Sequence, residues 1–232
     1  MRIKLLSNLL IALLLCCSIS CSNKRGVGSV SSKDSSKVEA TNQASVTAVK
    51  KYDIKSGIVT YVSETMGIKG SQKLYFDDFG ATELNETTTE LDMLGTKSRK
   101  VTCTLSKDGY RYEFETENVS NNINKLKKEV RKRKVMSMAS SDMNGMPADM
   151  SAEMKKQYEY MDEGNETVAG MVGSKYSMKM GKTKFTGVIY KKVMLKTVMD
   201  MITITAEKFE ENASIPAAKF EIPKDYTVTE VQ

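Results

Sequence analysis

Apolar and polar residues alternate over most of the chain after residue 52. The segment GIVTYVSETM, which begins at residue 57, is rich in β-branched residues, and YRYEFET places Tyr110, Tyr112 and Phe114 on one side with charged residues on the other. This alternation is typical of a β-strand with one buried face. The pattern therefore predicts a protein that is built mainly from short strands.

Turn motifs separate these runs and set the order of the elements. DDFG at 77–80 and Asp108-Gly109 fall between strand-like runs, and Asp-Gly suits a tight hairpin turn. Further strand-like runs follow residue 162, namely SKYSMKM, TKFTGVIY, VMLKTVM and MITITAEKFEE. Many short strands joined by turns favour a mainly β (α+β) fold with a curved antiparallel sheet or an incomplete barrel.

The pattern changes in the middle of the chain, where the basic segment KLKKEVRKRK occupies 125–134. Ile123, Leu126 and Val130 recur at helical spacing, which predicts a helix with a solvated basic face. The alternative is that this face contacts anionic lipid headgroups, which attract basic clusters near a membrane. The candidate headgroup contacts are Lys125, Lys127, Lys128, Arg131, Lys132, Arg133 and Lys134.

A second apolar stripe follows Pro147, a residue that suits the first turn of a helix. Its members lie at i, i+4, i+8 and i+11, and they are Met150, Met154, Tyr158 and Met161. Together with the basic segment, this stripe predicts a helical insertion at about 119–162.

Methionine is concentrated in one part of the chain, since ten of the sixteen lie between Met136 and Met180. These residues can form the packing face of helices, an adaptable mouth for an apolar ligand, or a site for Cu(I). Soft-metal sites built from Met often include His or Cys, and this segment has neither. The ligand mouth is the working hypothesis, with the candidate residues Met143, Met146, Met150, Met154, Tyr158 and Met161.

The first twenty residues resemble a secretory signal. Arg2 and Lys4 precede an apolar stretch at 5–15 that is too short to span a bilayer, and small residues follow it. A buried N-terminal helix and a membrane anchor that stays attached are the alternatives. A signal peptide at 1–20 would direct the protein out of the cytoplasm.

Three cysteines follow the apolar stretch, and the surroundings of Cys21 differ from those of Cys16 and Cys17. The tripeptide SIS before Cys21 resembles the lipobox of bacterial lipoproteins, which is cut just before a cysteine that becomes lipidated. The residues before Cys16 and Cys17, namely Leu15 and Cys16, fit such a cleavage site less well than Ser20 does. A single fatty chain holds a protein at a membrane only marginally, whereas two chains anchor it stably. The Ser-rich residues 21–50 then form a flexible tether, and 51–232 form a single domain.

Composition excludes several classes of function. The chain has no His, so neither a Ser-His-Asp triad nor a His-based zinc site can form. It also lacks a Gly-rich phosphate loop, and the acidic pair at 77–78 reads as part of a turn. We therefore expect no enzyme activity, no cofactor and no metal site. Cys103 lies in the alternating run KVTCTLS, which predicts a buried structural thiol.

The charge gives no sign of a nucleic-acid partner. The formal net charge of +6 falls to +4 when Arg2 and Lys4 are removed with the signal peptide, and most of the excess lies at 125–134. No helix-turn-helix, zinc-finger or RNA-binding signature accompanies it.

Four segments resemble a family of bacterial lipoproteins of uncharacterised function. They are YDIKSGIVTYVSETMG, KLYFDDFGATE, KDGYRYEFE and TAEKFEENASIPAAKFEIPKDYTV, and the likeness covers roughly 52–118 and 163–230. The piece GVIYKKVMLKT is similar to the family's strand-turn-strand, but it lacks the Trp and the Lys-Gly-Ile-Pro turn that are common there.

That family looks related to the periplasmic lipoprotein carriers (LolA/LolB-like). The resemblance implies an incomplete antiparallel barrel with helices covering its concave face, and an apolar concavity that holds acyl chains. We therefore expect a non-enzymatic lipoprotein of the cell envelope, at the outer membrane and facing the periplasm. The rivals are an envelope interaction protein with a packed interior, whose protein partner the sequence does not identify, and a Met-rich Cu(I)-binding protein.

Overall fold

The computed structural model describes residues 50–65, 68–93, 95–135 and 150–231. The predicted signal peptide and nearly all of the predicted tether lie outside these residues. The described strands are β1 (Gly57–Thr65), β2 (Ile68–Asp77), β3 (Thr82–Met93), β4 (Thr96–Lys107), β5 (Tyr110–Ser120), β6 (Ile123–Asn124), β7 (Glu129–Lys134), β8 (Met161–Val168), β9 (Met171–Met180), β10 (Thr183–Tyr190), β11 (Val193–Met199), β12 (Ile202–Glu211) and β13 (Thr227–Glu230). The described residues also form one α-helix, α1 (Ala152–Gln157), and 3₁₀ turns at Asp78–Gly80 and Ala217–Phe220.

All these strands belong to one sheet. Its order is β13-β7-β5-β4-β3-β2-β1-β12-β11-β10-β9-β8, and β6 pairs with β5 beside this path. The pairs are antiparallel except for β13 with β7. The strands at the two ends of this order, β13 and β8, do not pair with each other, so the sheet is unclosed. The predicted curved, mainly antiparallel sheet is confirmed.

The sheet coils back on itself near its β8 edge. Strands β8 and β12 are four strand spacings apart, which is about 19 Å in a flat sheet. Their Cα atoms nevertheless approach within 8 Å, and Val168 of β8 packs in the same buried cluster as Phe209 of β12. The curvature is therefore strong enough to bring distant strands into contact.

A cluster around Tyr52 packs on one face of β1, β2 and β12 and includes residues of β8, β10 and β11. Tyr52 and Ile54 precede β1 and are almost completely buried against Val59, Phe76 and Phe209. Hydrogen bonds hold the backbone of this segment in place, since the amides of residues 51 and 52 both donate to the carbonyl oxygen of Phe79 at 3.0 Å. The protein's own side chains thus occupy this part of the interior.

A second cluster lies where the C-terminal segment covers β3, β4, β5 and β7. Phe220 packs with Leu84, Leu105 and Phe114, and Tyr226 donates from its hydroxyl to the carbonyl oxygen of Glu115 at 2.8 Å. The face predicted for β5 is confirmed, because Phe114 is buried in this cluster and Tyr112 packs against it. The Asp108-Gly109 turn also forms as predicted, with φ values of 54° and 75°.

The predicted helix over the basic segment is wrong. Residues 129–134 form β7, which pairs with β5 on one side and with β13 on the other. Val130 is fully buried in the second cluster, opposite Phe114, whereas Ile123 is 62% exposed, so the two residues do not share an apolar helical face. The hydrogen bonds to two neighbouring strands and the burial of Val130 outweigh the local spacing.

The predicted helical insertion at about 119–162 is correspondingly reduced. Within its described residues, only Ala152–Gln157 form an α-helix. Residues up to 120 complete β5, and Met161 begins β8. None of the described helices has the length and apolar character required to cross a membrane.

Candidate functional site

Three of the predicted ligand residues meet in one apolar cluster. Met150 lies just before helix α1, Met154 lies within it, and Tyr158 follows it directly. All three pack against strands β9, β10 and β11. We call this group the Met cluster, and its members are Met150, Met154, Tyr158, Tyr160, Tyr176, Met178, Met180, Phe185, Ile189, Met194 and Met199.

The register of β9 and β10 builds the sheet side of the Met cluster. Tyr176 lies opposite Gly187, and Met178 lies opposite Phe185, so these residues share one face. A Cβ atom at Gly187 would collide with the Tyr176 hydroxyl, so glycine makes room for the ring. The Tyr176 hydroxyl reaches the Met194 sulfur at 3.7 Å, and burial raises the pKa of Tyr176 well above its ordinary value.

Helix α1 is short and is attached mainly through the turn that follows it. Ser151 caps its N-terminus by accepting from the Met154 amide at 3.2 Å. After the helix, the Lys179 amide donates to the Tyr158 carbonyl oxygen at 2.7 Å, and the Tyr160 ring stacks on Tyr176 with centroids 5.7 Å apart. No residue within α1 is buried. A six-residue helix is not stable by itself, so these flanking contacts hold it in place.

The Met cluster is apolar but incompletely covered. Met150 is 7% exposed, whereas Met154, Met180, Met194 and Met199 are only partly buried. Thioether side chains are flexible and polarizable, and they adapt to irregular apolar shapes. The cluster therefore suits contact with an apolar chain and carries no nucleophile or general base of the usual kinds. Its thioethers are also soft ligands of the kind that binds Cu(I).

The other predicted ligand residues do not join this group. Met161 does not continue the helical stripe, because it begins β8, lies opposite Ser177 and is 55% exposed. The stripe breaks because the chain turns from helix to strand at residues 158–160. Met143 and Met146 lie outside the described residues.

The basic stretch is divided between two faces instead of one. Alternation along β7 puts Arg131 and Arg133 on the side opposite to Lys132 and Lys134. Lys125 and Lys127 are exposed in the irregular segment before β7.

Three members of this stretch bind neighbouring groups of the protein. Lys128 pairs with Asp225 at 2.6 Å, and Arg133 pairs with Glu113 at 2.7 Å. The Lys132 ammonium lies 3.9 Å from the centroid of the Tyr110 ring. These three residues are engaged by other groups of the domain, so the structure does not gather the seven residues into a single cationic surface.

Cys103 is a buried structural thiol, as predicted. It is 2% exposed in the cluster with Leu105 and Phe114, and its sulfur lies 3.8 Å from the Thr116 hydroxyl. Burial raises the pKa of Cys103 to about 11, so the reactive thiolate is scarce at neutral pH. Cys21 lies outside the described residues.

One buried ion pair was not predicted. The Lys51 ammonium lies 2.6 Å from Glu83 Oε2, and the two side chains are only 9% and 11% exposed. The partners are 32 residues apart, and nothing in their local patterns marks them as neighbours. Only the folding of residues 50–56 against β3 brings them together.

Comparisons with known proteins do not identify a family for this chain. No protein-family model matches it, and no curated protein matches its sequence. An uncharacterized conserved protein from Thermus thermophilus is similar in structure, with 10% identity, a TM-score of 0.47, and coverage of 76% of this chain and 91% of that one.

MucB, in a structure of the Pseudomonas aeruginosa MucA/MucB complex, is also similar. The identity is 13%, the TM-score is 0.43, and the match covers 77% of this chain and 60% of that one. The present chain thus spans less than two thirds of that MucB chain. The TM-scores of both likenesses are below 0.5, so neither indicates a function or a partner.

Proposed function

We propose that the protein is a non-enzymatic lipoprotein of the cell envelope that binds an acyl chain or another apolar ligand in the Met cluster. Lipidated Cys21 and the tether at 21–50 would hold the domain at the outer membrane, facing the periplasm. The observation that carries the binding proposal is the half-buried set of thioethers beneath a short helix with few attachments.

The position of the ligand follows from how the interior is filled. Tyr52 and Ile54 already cover one face of β1, β2 and β12, so an acyl chain placed there would have to displace two well-packed side chains. Beneath α1 the outer side chains that it would displace, Met154 and Tyr158, are partly buried. We therefore place the ligand between α1 and strands β9, β10 and β11.

A binding assay with matched variants tests this position. The mature chain from residue 22, produced without lipidation, is titrated with a fluorescent C16 fatty acid. Met154→Glu puts a charge at the edge of the apolar cluster and should weaken binding at least tenfold, because a bound acyl chain would cover that charge and remove its water. Met201→Glu and Met161→Glu are the controls, since Met201 and Met161 are 66% and 55% exposed. Equal affinity in all three variants would contradict the proposal.

The second candidate is an envelope interaction protein with a packed interior. The filled Tyr52 cluster favours it, because that part of the fold leaves no room for a ligand. In this case the Met cluster is ordinary packing. The unchanged protein then binds no fatty acid, and Met154→Glu only lowers the thermal midpoint.

Contact with lipid headgroups is a separate part of the proposal. Lys125 and Lys127 are exposed, and neither has an ion-pair partner among the described residues. Changing both to Glu should reduce the binding of the unlipidated chain to vesicles that contain phosphatidylglycerol, with a smaller effect at high salt. Lys97→Glu together with Lys208→Glu makes the same change in charge at other exposed sites and is the control.

A further inference from the structure

A cavity of about 240 Å³ opens on strands β8 to β11, on the face opposite to the Met cluster. It is lined by Glu166, Lys175, Thr186, Gly187, Val188, Lys196 and Val198. At ~30 Å³ for each water in the liquid, its volume equals that of about eight water molecules. The space is therefore large enough for a small organic molecule.

The strand register brings two ammonium groups to this cavity. Lys175, Val188 and Lys196 lie side by side on β9, β10 and β11. Both lysines reach the same carboxylate, with Lys196 2.7 Å from Glu166 Oε1 and Lys175 3.2 Å from Oε2. Each ammonium has three N–H donors, so these contacts leave further donors for a ligand.

The cavity keeps an excess of positive charge. The two other charged residues in this network are Lys184 and Glu163, which lie 3.9 Å apart, and Glu163 is also 3.9 Å from Lys175. The three lysines of this network and its two glutamates together leave a net charge of +1; they are Lys175, Lys184, Lys196, Glu163 and Glu166. A single negative charge from a ligand would balance it.

Hydroxyl groups lie next to the lysines. Thr186 lines the cavity, and its side chain has no hydrogen-bond partner among the described residues. Ser177 lies directly opposite Thr186 on the same face, is 1% exposed, and has a buried hydroxyl without a partner in the described structure. Ser177 does not line the cavity, so the hydroxyl that a ligand there can reach is that of Thr186.

We infer that this cavity binds a small monocarboxylate with a short aliphatic chain. The carboxylate accepts hydrogen bonds from the remaining donors of Lys175 and Lys196 and from the Thr186 hydroxyl. Val188 is fully buried, so the aliphatic chain packs against Val198, the other valine of the wall. The site is independent of the Met cluster, because the two lie on opposite faces of the same strands.

Saturation-transfer NMR with butyrate tests the inference on the full-length protein in a nonionic detergent. Butyrate should show saturable binding, and 1-butanol, which has the chain without the charge, should bind at least tenfold more weakly. Lys196→Met and Lys175→Met should each weaken butyrate binding at least fivefold. Lys208→Met, at a 67% exposed lysine on β12, should leave it unchanged.

Thr186→Val is the second variant, because it removes one hydroxyl and keeps the shape of the side chain and all the charges. It should weaken butyrate binding about threefold to tenfold while the thermal midpoint changes little. Butanol binding as strong as that of butyrate would overturn the inference, as would equal butyrate binding by Thr186→Val, Lys196→Met and the unchanged protein. The Met154→Glu variant should retain full butyrate binding, which separates this site from the proposed apolar site.

Discussion

The ring of Tyr52 lies against the ring of Phe76, with the two centroids 4.5 Å apart. Tyr52 is the last aromatic residue before β1, and Phe76 lies near the end of β2. Their contact attaches the beginning of the domain to the strands that follow it. A pull on the predicted tether would therefore act directly on a buried part of the fold.

Removing this ring should strongly destabilise the domain. Tyr52→Ala leaves a cavity among well-packed side chains, and we expect the free energy of unfolding to fall by roughly 3–5 kcal/mol. Chemical denaturation followed by circular dichroism measures the change. Asp53→Ala, at the next residue, is the control because that side chain is exposed. A loss no larger than that of the control would show that the Tyr52 contact is not part of the core.

The buried Lys51–Glu83 pair should behave as a unit. Lys51→Met leaves the Glu83 carboxylate buried without its cation, which typically costs roughly 3–5 kcal/mol of stability. The double variant Lys51→Met with Glu83→Leu removes both charges and should recover most of that loss. Lys97→Met breaks an exposed pair with Asp92 and should leave the denaturation midpoint unchanged. A double variant that is no more stable than Lys51→Met would contradict the account.

The Cys103 thiol should be unreactive in the folded protein. Its pKa is raised from its ordinary value of 9.0 to about 11 by burial, so the thiolate fraction at pH 8 is about 100-fold lower than in the unfolded chain. Labelling of the mature protein with a maleimide should be correspondingly slow, and denaturant should restore one fast equivalent. Since the unfolded thiol ionises first, this group should also lower stability as the pH rises above about 9.

Cys21 is the cysteine that we expect to carry lipid. Cells fed an alkyne-labelled palmitate should produce a labelled protein, and Cys21→Ser should abolish the label and release the protein from the membrane fraction. Cys16→Ser and Cys17→Ser should retain both properties. Loss of label in either of these two variants, with retention in Cys21→Ser, would place the anchor elsewhere.

Alternation was sufficient to predict most of the sheet, because a half-buried strand leaves the same period in the sequence wherever it lies. The runs at β1 to β5 and at β9 to β12 formed as expected, and so did the Asp108-Gly109 turn. The basic segment was misread because three apolar residues at helical spacing are weak support for a helix. Its strand depends on β5 and on the distant β13, which local pattern does not report.

The candidate sites were likewise predictable only where local spacing determines them. Met150, Met154 and Tyr158 share a cluster, as their spacing predicted, but Met161 lies in the next strand and faces solvent. The cavity that joins Lys175 to Lys196 could not be predicted, because it depends on a register across three strands. Such contacts between distant residues form only when the sheet itself is formed.

The most direct test of the central claim is native mass spectrometry of the full-length protein released from membranes with a mild detergent. We predict a second population whose added mass corresponds to one noncovalent acyl-chain ligand beyond the covalent anchor. That population should be greatly reduced in Met154→Glu and retained in Met201→Glu. A protein that carries only its covalent lipid in all preparations, and gains no stability when fatty acid is added, would contradict the claim.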